Sequence, residues 1–381
     1  MRPKILHITE PCISGVLTGI SSLIENLPKY EHIILHGTQR VSPKLPNCFK
    51  KNSVFLWKNA VPELNIWKDF LAFLKVLTII LKTKPDIIHL HSSKAGFLGR
   101  CGVFLLGKSQ KVIYTPHGIS FLREDLTPKK KFFFQYLEQF AARYWGGKII
   151  ACSKAEQKII EKAHISSICI PNGVKIPNLN NSKNLSKNLE SESENLTQIL
   201  DHKTVNPSEQ KIWIVGTSGE IRHPQKGVNV FNQIAESCLD LPVKFLWIGT
   251  GKDQNMLKSP NIEITGWLNQ EQVKEKLKNI DIYLSTSAWE GLSYAVLEAM
   301  SIQKPVLLSN CLGNLELLPQ PEMGFENGDE ATKKIKTWLK NPEILQEYGH
   351  LAQEKIRTEF SEESYIKSYA QEYEKIIQSV S

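Results

Sequence analysis

The chain has 381 residues, 41% of them hydrophobic, so it is long enough to bury the cores of two ordinary domains. Its seven cysteines are scattered and odd in number, so they indicate neither a disulfide framework nor a zinc site and favour a reducing, cytoplasmic setting. Residues 1–175 hold 26 Lys and Arg against 11 Asp and Glu, whereas the remainder holds 21 against 28. This asymmetry indicates an anionic partner for the first half.

Short runs of β-branched and aromatic residues alternate with helix-length amphipathic stretches in the first half of the chain. The runs predict strands over 4–8, 32–36, 86–90, 111–115, 148–152 and 167–170. The segments between them predict helices over 19–27, 65–82, 95–106, 128–144 and 154–163. This alternation is typical of a parallel, doubly wound sheet.

The pattern stops over residues 178–206, which are rich in Asn, Ser, Glu and Lys and predict a polar insertion or linker. It then resumes with predicted strands over 211–216, 244–249, 262–266, 281–285 and 304–309, followed by two helices over about 342–379. We therefore expect an α/β protein in which two Rossmann-like domains face each other across a cleft. The expected parts are a first domain (1–177), the linker (178–206), a second domain (207–360) and a final helix (361–381) that packs back on the first domain.

Ligands of such sheets bind at the carboxyl ends of the strands, where helix N-termini offer free N–H groups. Gly15 and Gly19 follow the first predicted strand, where they could let the backbone approach a phosphate or merely form a turn. His117 follows the strand over 111–115, a position where a lone histidine more often makes a structural hydrogen bond than acts in catalysis. Neither feature identifies a site by itself.

Two segments match nucleotide-binding spacings only superficially. GVFLLGKS (102–109) has the spacing of a P-loop, but a predicted helix precedes it and a strand follows, which reverses the order that a P-loop needs. GTGKDQ (249–254) begins like a dinucleotide-binding fingerprint but lacks the third glycine. We therefore expect neither a P-loop nor a nicotinamide or flavin site.

The segment SAWEGLSYAVLEAM (287–300) places Glu290 in a loop after a strand and Glu298 roughly two turns into the following helix. A rise of about 1.5 Å per residue separates the two acids by on the order of 10 Å, which suits two parts of one extended ligand. An ordinary solvated acid and a helix-surface acid are the alternative. Glu298 nevertheless has apolar neighbours on a helix with almost no other charge, so its carboxylate needs a partner.

This E-x7-E spacing, together with TPHG (115–118), IPNGV (170–174) and a basic pair before a helix, resembles the retaining nucleotide-sugar glycosyltransferases of the GT-B fold, family 4. The resemblance covers nearly the whole chain apart from 178–206. HSSKAGFLGR (91–100) and YTPHGISF (114–121) particularly resemble bacterial enzymes that build surface polysaccharides such as O-antigen or capsule.

The resemblance implies a role for each matched residue. Glu298 would accept hydrogen bonds from the ribose hydroxyls of the nucleotide, and Glu290 would meet hydroxyls of the donor sugar. His117 would lie beside the transferred sugar, and Gly15 would lie in a loop under the phosphates. Backbone N–H groups at the helix N-terminus would assist Glu290, and they belong to Gly291, Leu292 and Ser293.

The basic pair departs from the family wording, G-R-x-x-x-x-K-G. The sequence GEIRHPQKGV (219–228) keeps Lys226, but Glu220 stands where the arginine is expected and Arg222 comes two residues later. Either the loop is one residue longer and Arg222 takes the place of the arginine, or Lys226 works with less help. We favour the first interpretation.

The resemblance implies a retaining transfer of a sugar from a nucleoside diphosphate sugar, commonly UDP-hexose or UDP-N-acetylhexosamine, to a hydroxyl of a glycan or lipid-linked acceptor. Fixed cations at Arg222 and Lys226 would stabilise the departing phosphate. The sequence has no Asp-x-Asp motif, so we expect no metal and no other cofactor. A nucleotide-sugar 2-epimerase of the same architecture and a non-catalytic partner subunit stay open as alternatives, whereas nucleic-acid binding lacks a motif.

The sequence predicts no signal peptide and no membrane-spanning segment. Two stretches instead predict docking on an anionic membrane surface: 69–82 is apolar and carries lysines, and 127–145 places Lys129, Lys130 and Lys131 before three phenylalanines. For 69–82 alone, packing on the sheet with solvated lysines is the favoured interpretation. We therefore expect a cytoplasmic protein that is peripheral on the inner face of the membrane.

Overall fold

The computed structural model describes residues 2–177 and 211–380, and the predicted insertion over 178–206 lies outside the described residues. Within the described chain, a seven-stranded and a six-stranded sheet form separate layers, and all paired strands in both sheets run parallel. The predicted α/β class with two Rossmann-like sheets is therefore confirmed.

The first sheet contains strands β1 to β7, which are Lys4–Thr9, Glu31–Gly37, Ser53–Trp57, Ile87–His91, Val112–Thr115, Lys148–Ala151 and Ile168–Cys169. Their order across the sheet is β3-β2-β1-β4-β5-β6-β7. The order reverses between β1 and β4, and the crevice beyond the carboxyl ends of these two strands is where open α/β sheets bind ligands.

Helices α1 to α6 cover both faces of this sheet, and they are Ser14–Asn26, Asn47–Lys50, Ile66–Thr83, Ser93–Leu105, Pro128–Tyr144 and Lys154–Lys162. Successive strand residues point to opposite faces. Leu6 and Ile8 of β1 therefore pack with α3 and α4, whereas Ile5 packs with α1 on the other face.

The second sheet contains strands β8 to β13, which are Trp213–Ser218, Val243–Ile248, Ile262–Ile264, Ile282–Ser285, Val306–Ser309 and Gly324–Phe325, in the order β10-β9-β8-β11-β12-β13. Its helices are α7 (Val228–Glu236), α8 (Gln270–Lys278), α9 (Tyr294–Ser301), α10 (Leu312–Leu317) and α11 (Gly328–Lys340). The order reverses between β8 and β11, so the same rule predicts a ligand site at the carboxyl ends of these two strands.

The chain ends in two long helices that pack on different domains. Helix α12 (Pro342–Glu359) joins the core of the second domain, whereas α13 (Glu362–Val380) lays a row of tyrosines on the first sheet. The chain passes from the second domain to the first between these two helices, beside Val174. The Val174 N–H donates to the Phe360 carbonyl at 3.0 Å, and the Val174 carbonyl accepts from the Glu362 N–H at 3.1 Å.

The predicted elements differ from the structure at sheet edges and helix starts. Strand β3 was not predicted, because it lies at the edge of the sheet and exposes Val54 and Leu56, which weakens its alternation. Helix α1 begins at Ser14 rather than at residue 19, since Gly15 and Gly19 read as turn residues in the sequence but belong to the helix. The tail forms two helices, as predicted.

Candidate active site

Loops from both sheets meet in one cleft at the carboxyl ends of the central strands. Gly118 follows β5 and lies so close to Gly291, which follows β11, that a Cβ on Gly291 would be 2.9 Å from the Gly118 nitrogen. Arg40, after β2, pairs with Glu220, after β8, at 3.3 Å. The residues predicted for the donor site lie in or beside these loops.

A largely buried ion pair lies on the second-domain side. Lys226 Nζ donates to Glu290 Oε1 at 2.6 Å, and Ser287 Oγ donates to the same oxygen at 2.8 Å. The backbone fixes the lysine, because Thr286 Oγ1 donates to the Lys226 carbonyl at 2.8 Å. Gly227, with φ at +58°, has no room for a side chain, since a Cβ would lie 1.8 Å from the Thr286 carbonyl oxygen.

The charge state of Lys226 depends on this pairing. Burial alone would lower the pKa of the Lys226 ammonium, but the Glu290 carboxylate holds that pKa above its usual value. The ammonium is therefore protonated at neutral pH. The sequence predicted both residues as ligand contacts, but it gave no signal that they pair with each other.

Arg222 lies on the same loop and, unlike Lys226, is not held by a direct ion pair within the described residues. Its half-buried guanidinium makes no hydrogen bond or ion pair with any described residue. Burial lowers the pKa of Arg222 and the nearby charge of Arg40 lowers it further, whereas the carboxylates of Glu220 and Asp125 oppose this shift. Glu220, which stands where the family has arginine, is engaged by Arg40 of the first domain. Arg222 is therefore the cation of this loop that is available to an anion.

The sequence predicted Glu298 two turns into the helix. In the structure it is the fifth residue of α9, just past the first turn. The reason is that the preceding loop extends to Ser293 before the helix begins. The Glu298 side chain is half-buried, and no group within the described residues donates a hydrogen bond to it. Burial raises the pKa of Glu298 to about 7, against a smaller opposing effect of Lys274.

Three backbone N–H groups just before α9 have no acceptor within the part of the chain that the structure describes, and they belong to Gly291, Leu292 and Ser293. Free N–H groups at a helix N-terminus attract anions. Asn172 of the IPNGV segment ties this loop to the first domain, since its Nδ2 donates to the Leu292 carbonyl at 2.9 Å. This role of Asn172 was not predicted from the sequence.

The sequence predicted Gly15 in a loop, but the structure places it as the second residue of α1. A Cβ at this position would lie 2.9 Å from Cδ2 of Tyr294, the first residue of α9. The close packing of the two helix starts across the cleft therefore explains the glycine. Its contact with a phosphate stays a prediction.

His117 occupies a strained turn after β5, with φ at +54°. The buried Glu156 carboxylate holds this turn, because one oxygen accepts from the N–H groups of Gly118 and Ile119 at 2.8 and 2.7 Å, and the other accepts from Cys152 at 2.7 Å. Burial lowers the pKa of His117 to about 4, so the ring is neutral at pH 7. In the sequence Glu156 looks like an ordinary surface acid, so its role was missed.

Two family models match this chain, one to each domain. The model described as Glycosyltransferase Family 4 matches residues 13–176, and the model described as Glycosyl transferases group 1 matches residues 212–341. Together they cover more than half of the chain. The gap between the two matches coincides with the stretch between the two sheets.

The chain is also similar to named bacterial proteins over most of its length. The UDP-Gal:alpha-D-GlcNAc-diphosphoundecaprenol alpha-1,3-galactosyltransferase of Escherichia coli is 26% identical over 341 residues, which cover 84% of this chain and 83% of that protein. The capsular polysaccharide biosynthesis glycosyltransferase CapM of Staphylococcus aureus is 23% identical over 318 residues, which cover 78% and 79%.

The fold is shared with solved structures. Anabaena HepE, crystallised in complex with UDP and glucose, is similar with a TM-score of 0.74 at 16% identity, over 97% of this chain and 98% of that one. This likeness and those of other neighbours show the GT-B architecture. The chain therefore belongs to the GT-B glycosyltransferases, and it joins a glycosyltransferase family 4 domain to a glycosyl transferases group 1 domain.

Proposed function

We propose that this enzyme is a retaining, metal-independent transferase that moves a hexose or N-acetylhexosamine from its UDP derivative to a hydroxyl of a lipid-linked or glycan acceptor in surface polysaccharide synthesis. One observation carries the proposal: groups that suit the ribose and the diphosphate of a nucleotide sugar, and that make no direct contact with another described residue, lie on loops and a helix start beside one cleft. They are the Arg222 guanidinium, the Glu298 carboxylate and the free N–H groups over residues 291–293.

Each group suits one part of the donor. The Glu298 carboxylate is an acceptor without a partner among the described residues, as the two hydroxyls of a ribose require. Arg222 and the free N–H groups suit the diphosphate. A phosphate beside Lys226 would compete for its ammonium and would free the Glu290 carboxylate to accept from a sugar hydroxyl.

The chemistry follows from these charges. The bond between the anomeric carbon and the phosphate oxygen breaks, and both electrons go to the phosphate, where Lys226 and Arg222 stabilise the new negative charge. The acceptor hydroxyl bonds to the anomeric carbon on the face that the phosphate leaves, and its proton goes to a phosphate oxygen. This same-face route retains the anomeric configuration and needs no nucleophile from the enzyme.

The relatives support the donor and acceptor classes. HepE was crystallised with UDP, and the name of the E. coli relative specifies a UDP-galactose donor and a diphosphoundecaprenol-linked acceptor. The test is a thermal-shift panel of UDP, GDP and dTDP sugars, followed by transfer to a diphosphoundecaprenol-linked N-acetylhexosamine in the presence of a chelator.

Stabilisation by a UDP sugar and an α-linked product from an α-linked donor, seen by NMR, are the expected results. A β-linked product would contradict retention, and a strict need for added Mg²⁺ or Mn²⁺ would contradict the metal-free mechanism. Conversion of the donor to its 2-epimer without acceptor would favour the epimerase alternative.

A broad apolar surface on the first domain suits a lipid-linked acceptor. Helix α3 packs on the sheet through Ala72, Val76 and Ile80, as we expected for residues 69–82. Its other side nevertheless exposes Trp67 at 80% and Phe70 at 53%. The neighbouring α4 and α5 continue this surface, and α5 exposes Phe132 at 71%, Phe133 and Tyr136. Lys129 and Lys130 lie at its edge and are exposed to solvent. No helix among the described residues is long and apolar enough to span a membrane.

We infer that this surface docks on anionic lipid, with the aromatic side chains inserted shallowly and the lysines at the headgroups. Each lysine contributes about 1 kcal/mol near such lipid. Co-sedimentation with phosphatidylglycerol vesicles tests this with a Lys129/Lys130/Lys131→Ser variant and a Phe132→Ser variant. The matched control replaces three lysines of α11 in the second domain by serine, at Lys333, Lys336 and Lys340.

Loss of binding in both α5 variants but not in the control is the expected result. Equal binding of wild type to phosphatidylcholine vesicles, or unchanged binding of the lysine variant, would refute electrostatic docking and leave the transferase activity untouched.

A further inference from the structure

A row of histidines runs from His117 in the cleft into the first sheet. His117 Nε2 lies 3.1 Å from His91 Nδ1, and His91 Nε2 lies 3.1 Å from His7 Nδ1. His7 Nε2 in turn lies 3.1 Å from His32 Nδ1, and His32 Nε2 lies 3.0 Å from the Leu27 carbonyl oxygen. These four rings and the carbonyl form one continuous set of hydrogen bonds, the histidine chain.

The parallel register of three neighbouring strands produces this row. His7 is on β1, His32 on β2 pairs with Ile5 in register, and His91 on β4 pairs with Thr9. Residues 5, 7 and 9 point to the same face of the sheet, so the three rings follow one diagonal across it. Helix α13 covers this face, and all three rings are almost completely buried.

The Leu27 carbonyl sets the direction of every hydrogen bond in the histidine chain. A carbonyl only accepts, so His32 must carry its hydrogen on Nε2 and accept at Nδ1. A neutral imidazole has one donor and one acceptor nitrogen, so His7, His91 and His117 must follow the same pattern. Burial lowers the pKa of all four rings, which keeps them neutral.

A shared metal ion fits this cluster less well. His7, His89 and His91 have nitrogens close enough to bind one ion. Both nitrogens of His7 already take part in the histidine chain, however, and His89 contacts the hydroxyls of Tyr373 at 2.7 Å and Thr115 at 2.9 Å. A hydrogen-bonded arrangement therefore satisfies every ring nitrogen of these three residues.

We propose that the histidine chain fixes His117 as a hydrogen-bond acceptor at Nδ1, so that this point of the cleft selects a sugar hydroxyl and rejects a carboxylate or phosphate oxygen. Nδ1 has no partner among the described residues, and the ring is half-buried. A nitrogen lone pair attracts an O–H group and repels an anionic oxygen. His91, His7 and His32 are positioning residues. The proposal rests on the proposed function, because His117 meets a sugar only if this cleft binds the donor.

The tautomer can be measured without any substitution. Nitrogen-15 NMR of the histidine-labelled enzyme distinguishes a protonated Nε2 from a protonated Nδ1 in each ring. We expect His7, His32, His91 and His117 to be neutral and protonated at Nε2 at pH 7.5. A His117 ring protonated at Nδ1, or a stoichiometric metal ion on the purified enzyme, would overturn the proposal.

A substitution at His32, the end of the histidine chain farthest from His117, tests whether the histidine chain affects the cleft. His32→Phe removes the acceptor of the His7 Nε2–H group, so the reversed tautomers, with His117 protonated at Nδ1, should predominate and transfer should fall on the order of tenfold. Affinity for UDP, which has no sugar to meet His117, should not change. His36→Phe is the matched control, since His36 is equally buried on the same strand but outside the histidine chain.

Equal losses in both variants, or a parallel loss of UDP affinity, would show a merely structural role and refute the proposal. An inactive wild type whose His117 is protonated at Nε2 would instead count against the proposed function, while the tautomer assignment would stand. An active wild type whose His117 is protonated at Nδ1 would refute the tautomer assignment and leave the proposed function standing.

Discussion

At the scale of single residues, the loop after β8 carries two cations in opposite situations. Lys226 is held by Glu290, whereas Arg222 makes no direct ion pair or hydrogen bond with a described residue. Lys226→Met would leave the Glu290 carboxylate with Ser287 alone, so it should cost about 1–3 kcal/mol of stability and lower turnover roughly 100-fold. Arg222→Met should lower turnover without loss of stability. Steady-state kinetics and thermal melts separate the two, with exposed Lys252→Met as the control.

Glu298 gives a second prediction, because its pKa of about 7 lies above the usual 4.5. Between these values the folded protein binds more protons than the unfolded chain, so this group destabilises the fold as pH rises from about 4.5 to 7. Glu298→Gln should therefore gain stability relative to wild type across this interval and keep the gain above it. It should also weaken UDP binding by about 1–3 kcal/mol. Melts from pH 5 to 8 and calorimetry with UDP measure both, and unchanged UDP affinity would remove Glu298 from the site.

The sequence indicated which residues border the cleft better than it indicated how they interact. Glu290, Glu298 and Lys226 stand out as polar residues in apolar or glycine-rich surroundings, so a pattern could identify them. The ion pair between Glu290 and Lys226 joins residues that are 64 positions apart, and only the fold sets that contact. Histidines within apolar predicted strands, as in DIIHLH (86–91), were the available signal for the histidine chain.

At the scale of elements, the start of α6 holds the strained His117 turn. Glu156 on α6 accepts three backbone N–H groups, and an amide in its place would offer one oxygen and turn an NH2 group toward a donor. Glu156→Gln should therefore cost about 1–3 kcal/mol of stability and disorder the turn. Denaturant unfolding and His117 NMR line widths check this, and Glu161→Gln on the same helix is the control. A sharp, unshifted His117 signal would contradict the assignment.

The element types were predictable where burial is one-sided or complete, and less so at edges. β1 and β4 are buried central strands whose apolar runs are unmistakable. β3 lies at a sheet edge and exposes Val54 and Leu56, and β13 is a buried strand of only two residues, so neither strand gives a clear apolar run. The tyrosines of α13 recur at residues 365, 369 and 373, which predicts one apolar helix face. The strands that this face covers are far away in sequence, so the pattern does not predict where the face packs.

At the scale of the whole molecule, hydrogen bonds across the cleft join the two domains. The Glu316 carboxylate of α10 accepts from the first two N–H groups of α6, Lys154 at 3.0 Å and Ala155 at 2.9 Å. An acid at a helix N-terminus satisfies unpaired N–H groups and complements the helix dipole. Glu316 thus caps a helix of the other domain, and opening of the cleft at this point would break both hydrogen bonds.

This geometry predicts that Glu316→Ala shifts the enzyme toward an open cleft. Loss of a cap of this kind costs about 1 kcal/mol, so the amides of Lys154 and Ala155 should exchange hydrogen roughly five- to tenfold faster, and the radius of gyration should rise in X-ray scattering. A bound UDP sugar that bridges the two domains should reverse much of the expansion. Glu322→Ala, at an exposed residue of the same domain, is the control. Unaltered exchange at Lys154 and Ala155 in the Glu316 variant would show that other contacts set the closed arrangement.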